Sequence, residues 1–307
     1  MKVLVTGGAG FIGSHICELL LQRGDRVVVV DNLRTGKRAN LPPRVTFYHE
    51  DITQPLLNSI FRQEKPQVVI HEAAQVSVPS SVADPLLDTK INLAGTVNVL
   101  EAAKQNGVQK VVFASSAAVY GEPQYLPIDE EHPISVQSPY GLAKHTVERY
   151  LALYKSLYGL DYTVLRYSNV YGPRQDGQGE GGVVAIFAHL LSRGLVPTIF
   201  GSGEQTRDFV FVRDVAAANV AATTKASGQV LNISTNHAVT VNQLYEIMAQ
   251  LWGVDAPARR GPERAGDIED STLCNLKACE ALAWAPSWSL EAGLAALKEG
   301  WDGLPDS

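Results

Sequence analysis

The sequence predicts an α/β protein in which a doubly wound parallel sheet is joined to a smaller C-terminal α/β lobe. Short Val-rich apolar runs, typical of strands buried on both faces, alternate with longer segments whose apolar residues recur at helical spacing. Strands and helices that alternate in this way form a parallel sheet with right-handed crossovers. The runs span residues 3–5, 27–30, 45–48, 68–70, 111–114 and 162–165, and clear helical segments span 12–23, 96–106 and 143–158.

The alternating pattern weakens after residue 167, where Gly and Pro become frequent and a further helix is predicted over 183–193. We therefore expect a first domain at residues 1–167 and a second lobe at residues 168–307, with some later segments returning to the first domain. The length of 307 residues is sufficient for two such units.

The composition excludes several classes of protein. A hydrophobic content of 45% with 19% charged residues indicates a folded globular chain. The net charge of −6 argues against a nucleic-acid partner, which requires a concentrated basic face. The longest apolar stretches are too short for a membrane span or a signal peptide, so we expect a cytoplasmic protein without a membrane partner. Three cysteines without metal-ligand spacing predict neither a disulfide framework nor a metal site.

A glycine-rich segment lies between the first apolar run and the first helical segment. Gly7, Gly10 and Gly13 follow Gly-x-x-Gly-x-x-Gly spacing, a pattern that is weak without its context. Between a strand and a helix, such glycines let the backbone approach a pyrophosphate, which the N–H groups of the helix N terminus bind. The segment therefore predicts a dinucleotide site.

Two acidic residues extend this prediction. Asp31 ends the second apolar run, 18 residues after Gly13, where a carboxylate accepts ribose hydroxyls and repels a 2′-phosphate. NAD is therefore favoured over NADP, although Arg34 and Lys37 nearby leave NADP open. Asp51 follows the third run; contact with the adenine edge and a role as a solvated loop acid are equally open.

Tyr140 and Lys144 form a Tyr-x-x-x-Lys pattern that places both side chains on one face of a helix beginning near Ser138-Pro139. We expect the ammonium group to lower the pKa of the phenol from about 10 towards the working pH, which would make Tyr140 a base for a sugar hydroxyl. Ser116, at the end of the fifth run, is placed to hold the reacting oxygen or relay its proton. The spacing alone also fits an ordinary surface pair.

These residues, with Asn92 and the segment Thr-Gly-Gly-Ala-Gly-Phe-Ile-Gly at 6–13, resemble the extended short-chain dehydrogenase/reductase family. The chain is most similar to nucleotide-sugar 4-epimerases of the UDP-glucose 4-epimerase group, over essentially its whole length, including 166–174, 207–210 and 264–267. The resemblance implies a Rossmann sheet, tightly bound NAD, a UDP-sugar substrate and a transient 4-keto sugar.

The resemblance also implies positions for the ligands. Cofactor contacts are expected from Gly7, Gly10, Phe11, Ile12, Gly13, Asp31, Asn32, Asp51, Ile52, Ala73, Ala74, Asn92, Ser115, Tyr140, Lys144 and Tyr167. Substrate contacts are expected from Ser77, Ser116, Asn169, Val183, Thr198, Phe200, Arg207, Arg264, Asp267 and Ser271. Of these, Asn169, Arg207 and Arg264 match diphosphate contacts, Thr198 and Phe200 border the uracil, and Asp267 matches a ribose contact. Without the family, both arginines also fit surface ion pairs with neighbouring acids.

Related activities are separated by the residues after Ser116. Dehydratases and decarboxylases of this family carry acidic groups there, whereas this chain has Ala117 and Ala118, which favour an epimerase. A small residue at Ser271 is expected to admit N-acetylhexosamines beside hexoses. UDP-glucuronate stays open, and Gln75 departs from the Lys of many epimerases. An NAD-binding regulatory protein is disfavoured by the complete triad.

The family also implies a homodimer formed by two helices from each chain, one of them the helix that carries Tyr140. Ala102, Ala103 and Leu151 are candidate contacts between the chains. They fit the core of a single chain equally well.

Overall fold

The computed structural model describes residues 1–177, 182–263 and 268–301. The strands are β1 (Lys2–Thr6), β2 (Arg26–Asp31), β3 (Thr46–His49), β4 (Val68–His71), β5 (Lys110–Ser116), β6 (Asp161–Tyr167), β7 (Asn169–Tyr171), β8 (Thr198–Phe200), β9 (Thr206–Arg207), β10 (Phe209–Phe211), β11 (Gln229–Ile233), β12 (Val239–Thr240) and β13 (Arg259–Gly261).

The α-helices are α1 (Phe11–Gln22), α2 (Leu57–Glu64), α3 (Val78–Ala83), α4 (Pro85–Asp88), α5 (Thr96–Gln105), α6 (Pro139–Tyr158), α7 (Val183–Leu191), α8 (Val212–Ala222), α9 (Val241–Trp252), α10 (Leu276–Leu282) and α11 (Leu290–Glu299). A π-helical segment at Thr89–Gly95 leads into α5, and two short 3₁₀ turns lie at Arg38–Asn40 and Ala117–Val119. Within the described ranges, no helix is long and apolar enough to cross a membrane.

Seven parallel strands form the central sheet in the order β11-β6-β5-β4-β1-β2-β3. The direction of winding reverses between β1 and β4, which is where a doubly wound sheet opens a crevice for ligands. All six apolar runs form strands of this sheet, so the predicted fold class is confirmed. The seventh strand, β11, lies outside those runs.

Alternate side chains of the central strands enter two separate cores. Val3 and Val5 lie in the core covered by α1, α8 and α10, whereas Leu4 lies in the core covered by α2, α5 and α6. Successive side chains of a strand point to opposite faces, so a strand covered on both sides is apolar at every position. The Val-rich runs are the consequence of this double burial.

Helices α7, α9 and α11 form a third core with β7, β8 and β10, and this core belongs to the C-terminal lobe. Other parts of the same half of the chain return to the sheet: β11 pairs with β6, and α8 packs on α1. The chain after residue 167 therefore completes the sheet as well as forming the lobe.

Helix α6 begins four residues before the predicted segment because Ser138 caps it and Pro139 occupies its first turn. The Ser138 hydroxyl accepts a hydrogen bond from the Gly141 backbone N–H at 3.1 Å. A Cβ at residue 141 would lie 2.6 Å from the carbonyl oxygen of Ala118, so glycine is required for α6 to approach the turn after β5. This close approach brings the start of α6 next to Ser116.

The candidate dimer contacts lie inside the chain. Ala102, Ala103 and Leu151 are all at most 2% exposed and pack in the core between α5, α6 and the sheet. Of the two locations that the sequence left open, the structure shows the core of the single chain. Both locations call for apolar residues on a helix face, and the sequence pattern does not separate them.

A buried ion pair fixes α6 against β5 and β6. The Arg166 guanidinium donates to both carboxylate oxygens of Glu148, at 2.9 and 2.6 Å, and the Ser115 hydroxyl donates to the same carboxylate at 2.6 Å. Arg166 also donates to the Tyr120 hydroxyl at 2.9 Å. Burial disfavours the charged form of Glu148, but its hydrogen bonds from Arg166, His145 and Ser115 outweigh burial and lower its pKa to about 2.

We expect Glu148→Gln to lower the free energy of unfolding by about 3 kcal/mol at neutral pH, because it leaves the Arg166 charge buried without a counterion. The pKa of Glu148 in the folded protein lies below the 4.5 of an unperturbed glutamate, so its stabilising contribution is present above that pH and is lost as the pH falls towards 2. Urea unfolding of both proteins across this range measures the difference, which should shrink in acid. The exposed Glu131→Gln is the matched control, and a difference that is independent of pH would contradict the assignment.

Candidate active site

The glycine-rich loop between β1 and α1 has the geometry of a dinucleotide site. Gly7 has a φ of +69°, and a Cβ there would lie 2.7 Å from the Ala73 backbone nitrogen. A Cβ at Gly13 would lie 2.2 Å from the Gly7 carbonyl oxygen. Gly10 occupies the N-cap position of α1 and has no side chain to accept hydrogen bonds from the first turn. The first backbone N–H groups of the helix therefore have no side-chain acceptor at the cap and can bind an anion. The loop therefore fits a pyrophosphate, as NAD contains.

Asp31 lies at the carboxyl end of β2, beside this loop. Its carboxylate accepts hydrogen bonds from the Ala9 N–H at 2.9 Å and the Leu33 N–H at 2.8 Å, which hold it in one orientation. Asp51 follows β3, and the Asn32 amide donates to it at 2.7 Å. Burial opposes ionisation of Asp51, but hydrogen bonds from Thr53 and Asn32 outweigh it and lower the pKa. The predicted adenosine-side residues thus lie along one edge of the sheet.

The three predicted catalytic side chains lie together at the carboxyl end of β5. Tyr140 is buried, and its phenol lies near Ser116. The Lys144 ammonium donates to the Ala114 carbonyl at 2.7 Å and lies 5.7 Å from the centre of the Tyr140 ring. The Tyr140 backbone N–H donates to the buried hydroxyl of Ser81 at 3.2 Å, which ties the first turn of α6 to α3.

The expected lowering of the Tyr140 pKa was wrong for the chain without its ligands. Burial, helped by the charges of Asp88 and Glu72 and opposed by the nearby Ser116 hydroxyl, raises the pKa of Tyr140 to about 12. Burial also lowers the pKa of Lys144, against the charges of Glu72, Asp88 and Glu148. Sequence spacing revealed the ammonium group but not the two carboxylates that tertiary structure brings to it.

The loop after β4 is held by a network centred on Asn92. The Asn92 amide donates to the Gln75 carbonyl at 2.9 Å and to Asp88 at 2.8 Å, and its oxygen accepts from the Gln75 N–H at 2.8 Å. The Gln75 side chain also donates to Asp88, at 2.9 Å. These bonds position the loop that carries Ala73 and Ala74, while direct contact of Asn92 with the cofactor stays a prediction.

Ser77, expected near the sugar, is buried at the start of α3. Its hydroxyl accepts a hydrogen bond from the Ser80 N–H at 3.0 Å and so caps that helix. The hydroxyl proton of Ser77 is not used by this bond, since the oxygen is the acceptor.

Apart from Ser77 and Ser116, the predicted substrate residues that the structure describes lie in the C-terminal half of the chain. Asn169 begins β7, Thr198 and Phe200 lie on β8, Arg207 lies on β9, and Val183 begins α7. The Ser271 N–H donates to the Thr206 carbonyl at 3.2 Å, so Ser271 lies beside the strand that carries Arg207. The Arg207 guanidinium donates to the backbone carbonyls of Thr206 and Glu269 at 2.7 and 3.3 Å. Arg264 and Asp267 lie outside the described residues.

Glu72 is a site residue that the sequence analysis missed. It directly follows β4 and accepts a hydrogen bond from the Tyr167 hydroxyl at 2.8 Å. Burial raises the pKa of its carboxyl, and the Tyr167 hydrogen bond and the Lys144 charge oppose this. A signal existed, because side chains that directly follow parallel strands gather at the carboxyl edge of the sheet, where ligands bind.

Comparison with known proteins shows the family of this chain. Residues 3–234 match the NAD dependent epimerase/dehydratase family, and the chain belongs to it. The chain is 42% identical to the UDP-glucose 4-epimerase of Mycolicibacterium smegmatis, over 302 residues that cover 96% of each.

Two solved structures resemble it closely. The UDP-glucose 4-epimerase of Thermotoga maritima with UDP-glucose is 45% identical, with a TM-score of 0.96 and 98% of each chain covered. The UDP-glucose 4-epimerase of Thermus thermophilus in complex with NAD is 43% identical, with a TM-score of 0.92 and the same coverage.

Proposed function

We propose that the chain is an NAD-dependent isomerase that inverts C4 of UDP-glucose and UDP-galactose. The observation that carries this proposal is the group formed by Ser116, Tyr140 and Lys144 at the carboxyl end of β5, two strands from the glycine-rich loop that follows β1. Family membership and relatives named UDP-glucose 4-epimerase support it.

The residues present fit NAD, which supplies the chemistry of accepting a hydride from C4 and returning it. The loop at Gly7 and Gly13 and the N terminus of α1 would hold its diphosphate, and Asp31 would hold the adenosine ribose. Ile52, Ala73 and Ala74 would line its path across the sheet edge.

Tyr140 acts as the proton-transfer group and Ser116 positions the 4′-oxygen. Tyr140 takes the proton from the 4′-hydroxyl as C4 is oxidised, and returns it to the same oxygen when C4 is reduced from the other face. Because burial raises the pKa of Tyr140 to about 12 in the ligand-free chain, the base form requires positive charge in the cleft. Lys144 supplies one such charge, and the oxidised nicotinamide ring adds a second.

Inversion requires the 4-keto sugar to turn over while the nucleotide stays in place. Asn169 and Arg207 would hold the diphosphate, because a guanidinium matches the geometry of phosphate oxygens. Arg264 and Asp267 would add contacts to the diphosphate and the uridine ribose. Thr198 and Phe200, which share β8, would border the uracil, leaving the sugar itself weakly held.

Ala117 and Ala118 form the 3₁₀ turn directly after Ser116 and carry no proton-transfer group. This disfavours a dehydratase or a decarboxylase, which must move protons at other sugar carbons. UDP-glucuronate 4-epimerisation is the second candidate, because it uses the same triad. A purely regulatory NAD-binding protein has no need of Ser116, Tyr140 and Lys144 together.

Tyr140→Phe should lower kcat by about 10²–10⁴-fold, because it removes the proton-transfer group. Bound NAD should be retained, since the loop and Asp31 are unchanged. Epimer ratios after incubation with UDP-galactose give the rate, and heat-released cofactor gives the NAD content. The exposed Tyr125→Phe serves as the control, and near-normal turnover in Tyr140→Phe would refute the role.

Ser271 is proposed to admit an N-acetyl group into the sugar pocket, so the native protein should epimerise UDP-N-acetylglucosamine as well as UDP-glucose. Ser271→Tyr should lower kcat/KM for the N-acetyl substrate by about tenfold or more and spare the hexose, because the larger ring fills the space. A panel of UDP-sugars that includes UDP-glucuronate, followed by separation of C4 epimers, measures this. Failure of the native protein on UDP-N-acetylglucosamine contradicts the pocket assignment, and a 4-keto-6-deoxy product contradicts epimerisation.

We also propose a homodimer in which α5 and α6 of each chain form a four-helix interface. On α6, Leu142, Leu153, Leu157 and Tyr158 are all about half exposed. An apolar row of this kind on a helix surface is typical of a face that packs against a partner.

The double variant Leu153→Glu, Leu157→Glu should sediment as a monomer where the native protein sediments as a dimer, because it places charges in the interface. Leu195→Glu is the matched control: its side chain is 48% exposed, as Leu153 is 49% exposed, but it lies in the C-terminal lobe. A native protein that is monomeric at micromolar concentration would overturn the proposal.

A further inference from the structure

Glu72 lies where the dinucleotide loop and the catalytic helix meet. Its backbone N–H donates to the Thr6 carbonyl at 3.1 Å, which extends the pairing of β4 with β1 to the sheet edge. A Cβ at Gly7 would lie 2.9 Å from the Glu72 carbonyl carbon, so the glycine loop packs directly on this residue. The preceding residue, His71, pairs with Phe113 of β5, and the next residue of β5, Ala114, accepts the hydrogen bond of the Lys144 ammonium at 2.7 Å. Glu72 therefore lies at the sheet edge between the glycine loop and the strand end that holds Lys144.

Two neutral side chains hold the Glu72 carboxylate in this position. Tyr167 donates to it at 2.8 Å, and the Asn219 amide in turn donates to the Tyr167 hydroxyl at 2.7 Å and to the Val215 carbonyl at 3.0 Å. Tyr167 and Asn219 are both buried. Within the described ranges, no Lys, Arg or His nitrogen lies within 4.0 Å of a Glu72 carboxylate oxygen. When Glu72 is ionised, its charge is thus not neutralised by a direct ion pair and acts on groups farther away.

The groups that face this charge come from four elements. Helix α6 supplies Tyr140 and Lys144, and Glu72 raises the pKa of both. Asp88, at the end of α4, acts in the same direction on both groups. Tyr167 of β6 donates the hydrogen bond to Glu72. His71 of β4 is neutral, because burial and the charge of Lys144 lower its pKa to about 3. Glu148 of α6 is paired with Arg166.

We propose that Glu72 is a positioning residue whose carboxylate, held by Tyr167, keeps protons on the Tyr140–Lys144 pair and so sets the pH range in which that pair works. This inference rests on the proposed proton-transfer function of Tyr140. Because negative charge favours the protonated form of every neighbour, its removal affects both groups in one direction.

Glu72→Gln removes the charge and keeps an oxygen that accepts the Tyr167 hydrogen bond. The pKa of Tyr140 and the pKa of Lys144 should both fall, so both limbs of the pH profile of kcat/KM should move to lower pH by about one unit. Glu72→Asp restores the charge and should return the profile towards that of the native protein. A merely structural role would lower kcat/KM at every pH and leave both limbs in place.

A spectroscopic titration of the NAD-loaded protein gives a readout that needs no sugar. The phenolate absorbance of Tyr140 is isolated by subtracting the same titration of a Tyr140→Phe counterpart, in the native and Glu72→Gln backgrounds. The phenolate should form at lower pH in Glu72→Gln. Formation at the same pH in both backgrounds, or limbs that move in opposite directions, would overturn the proposal.

Tyr167→Phe provides a second route if Glu72→Gln folds poorly. It removes the hydroxyl that favours the ionised carboxyl, so Glu72 becomes more often neutral and the phenolate should again form at lower pH, by a smaller shift. The phenolate shift also separates the two proposals. If Glu72→Gln shifts phenolate formation but the native protein epimerises no UDP-sugar, the role of Glu72 is supported and the proposed function is refuted. If the native protein epimerises a UDP-sugar but Glu72→Gln causes no shift, only the role of Glu72 is refuted.

Discussion

Coverage of both faces of the central sheet is the constraint on which the rest of the structure depends. Apolar helices pack on each side, so a polar side chain inside a strand needs a buried partner, as Thr163 and Arg166 of β6 have. The polar groups of the site instead gather where the strands end: Ser116 and Asp31 are the last residues of β5 and β2, and Glu72 directly follows β4. The same burial that stabilises the sheet also determines the acidity of the groups at its edge.

The sheet was predictable because double burial leaves a direct trace in the sequence, namely short Val-rich runs. The start of α6 was marked by Ser138-Pro139, but the periodic pattern begins only later, since Gly141 approaches the Ala118 carbonyl instead of packing a side chain. Leu151 was ambiguous for a different reason. A helix face buried in its own chain and one buried in a dimer have the same composition.

The site was predictable where its residues share a helix or a loop, and much less so where tertiary structure assembles it. Tyr140 and Lys144 are four residues apart on one helix, and Gly7 and Gly13 belong to one short glycine-rich segment. Burial of the phenol, together with the charges of Glu72 and Asp88 from other elements, reverses the expected shift of the Tyr140 pKa, and the local spacing reveals none of these effects. Long-range electrostatics is therefore the part of the site that the sequence pattern conceals.

The pairing of β11 with β6 has a consequence for how the protein acquires its site during synthesis. A nascent chain that ends after residue 167 would expose β6 as a sheet edge and lack α8, which covers α1 and supplies Asn219 to Tyr167. The first 167 residues thus contain neither the whole sheet nor the helix that covers α1. We therefore expect the proposed cofactor site to reach its final form only after the chain has been synthesised through β11, well into its C-terminal half.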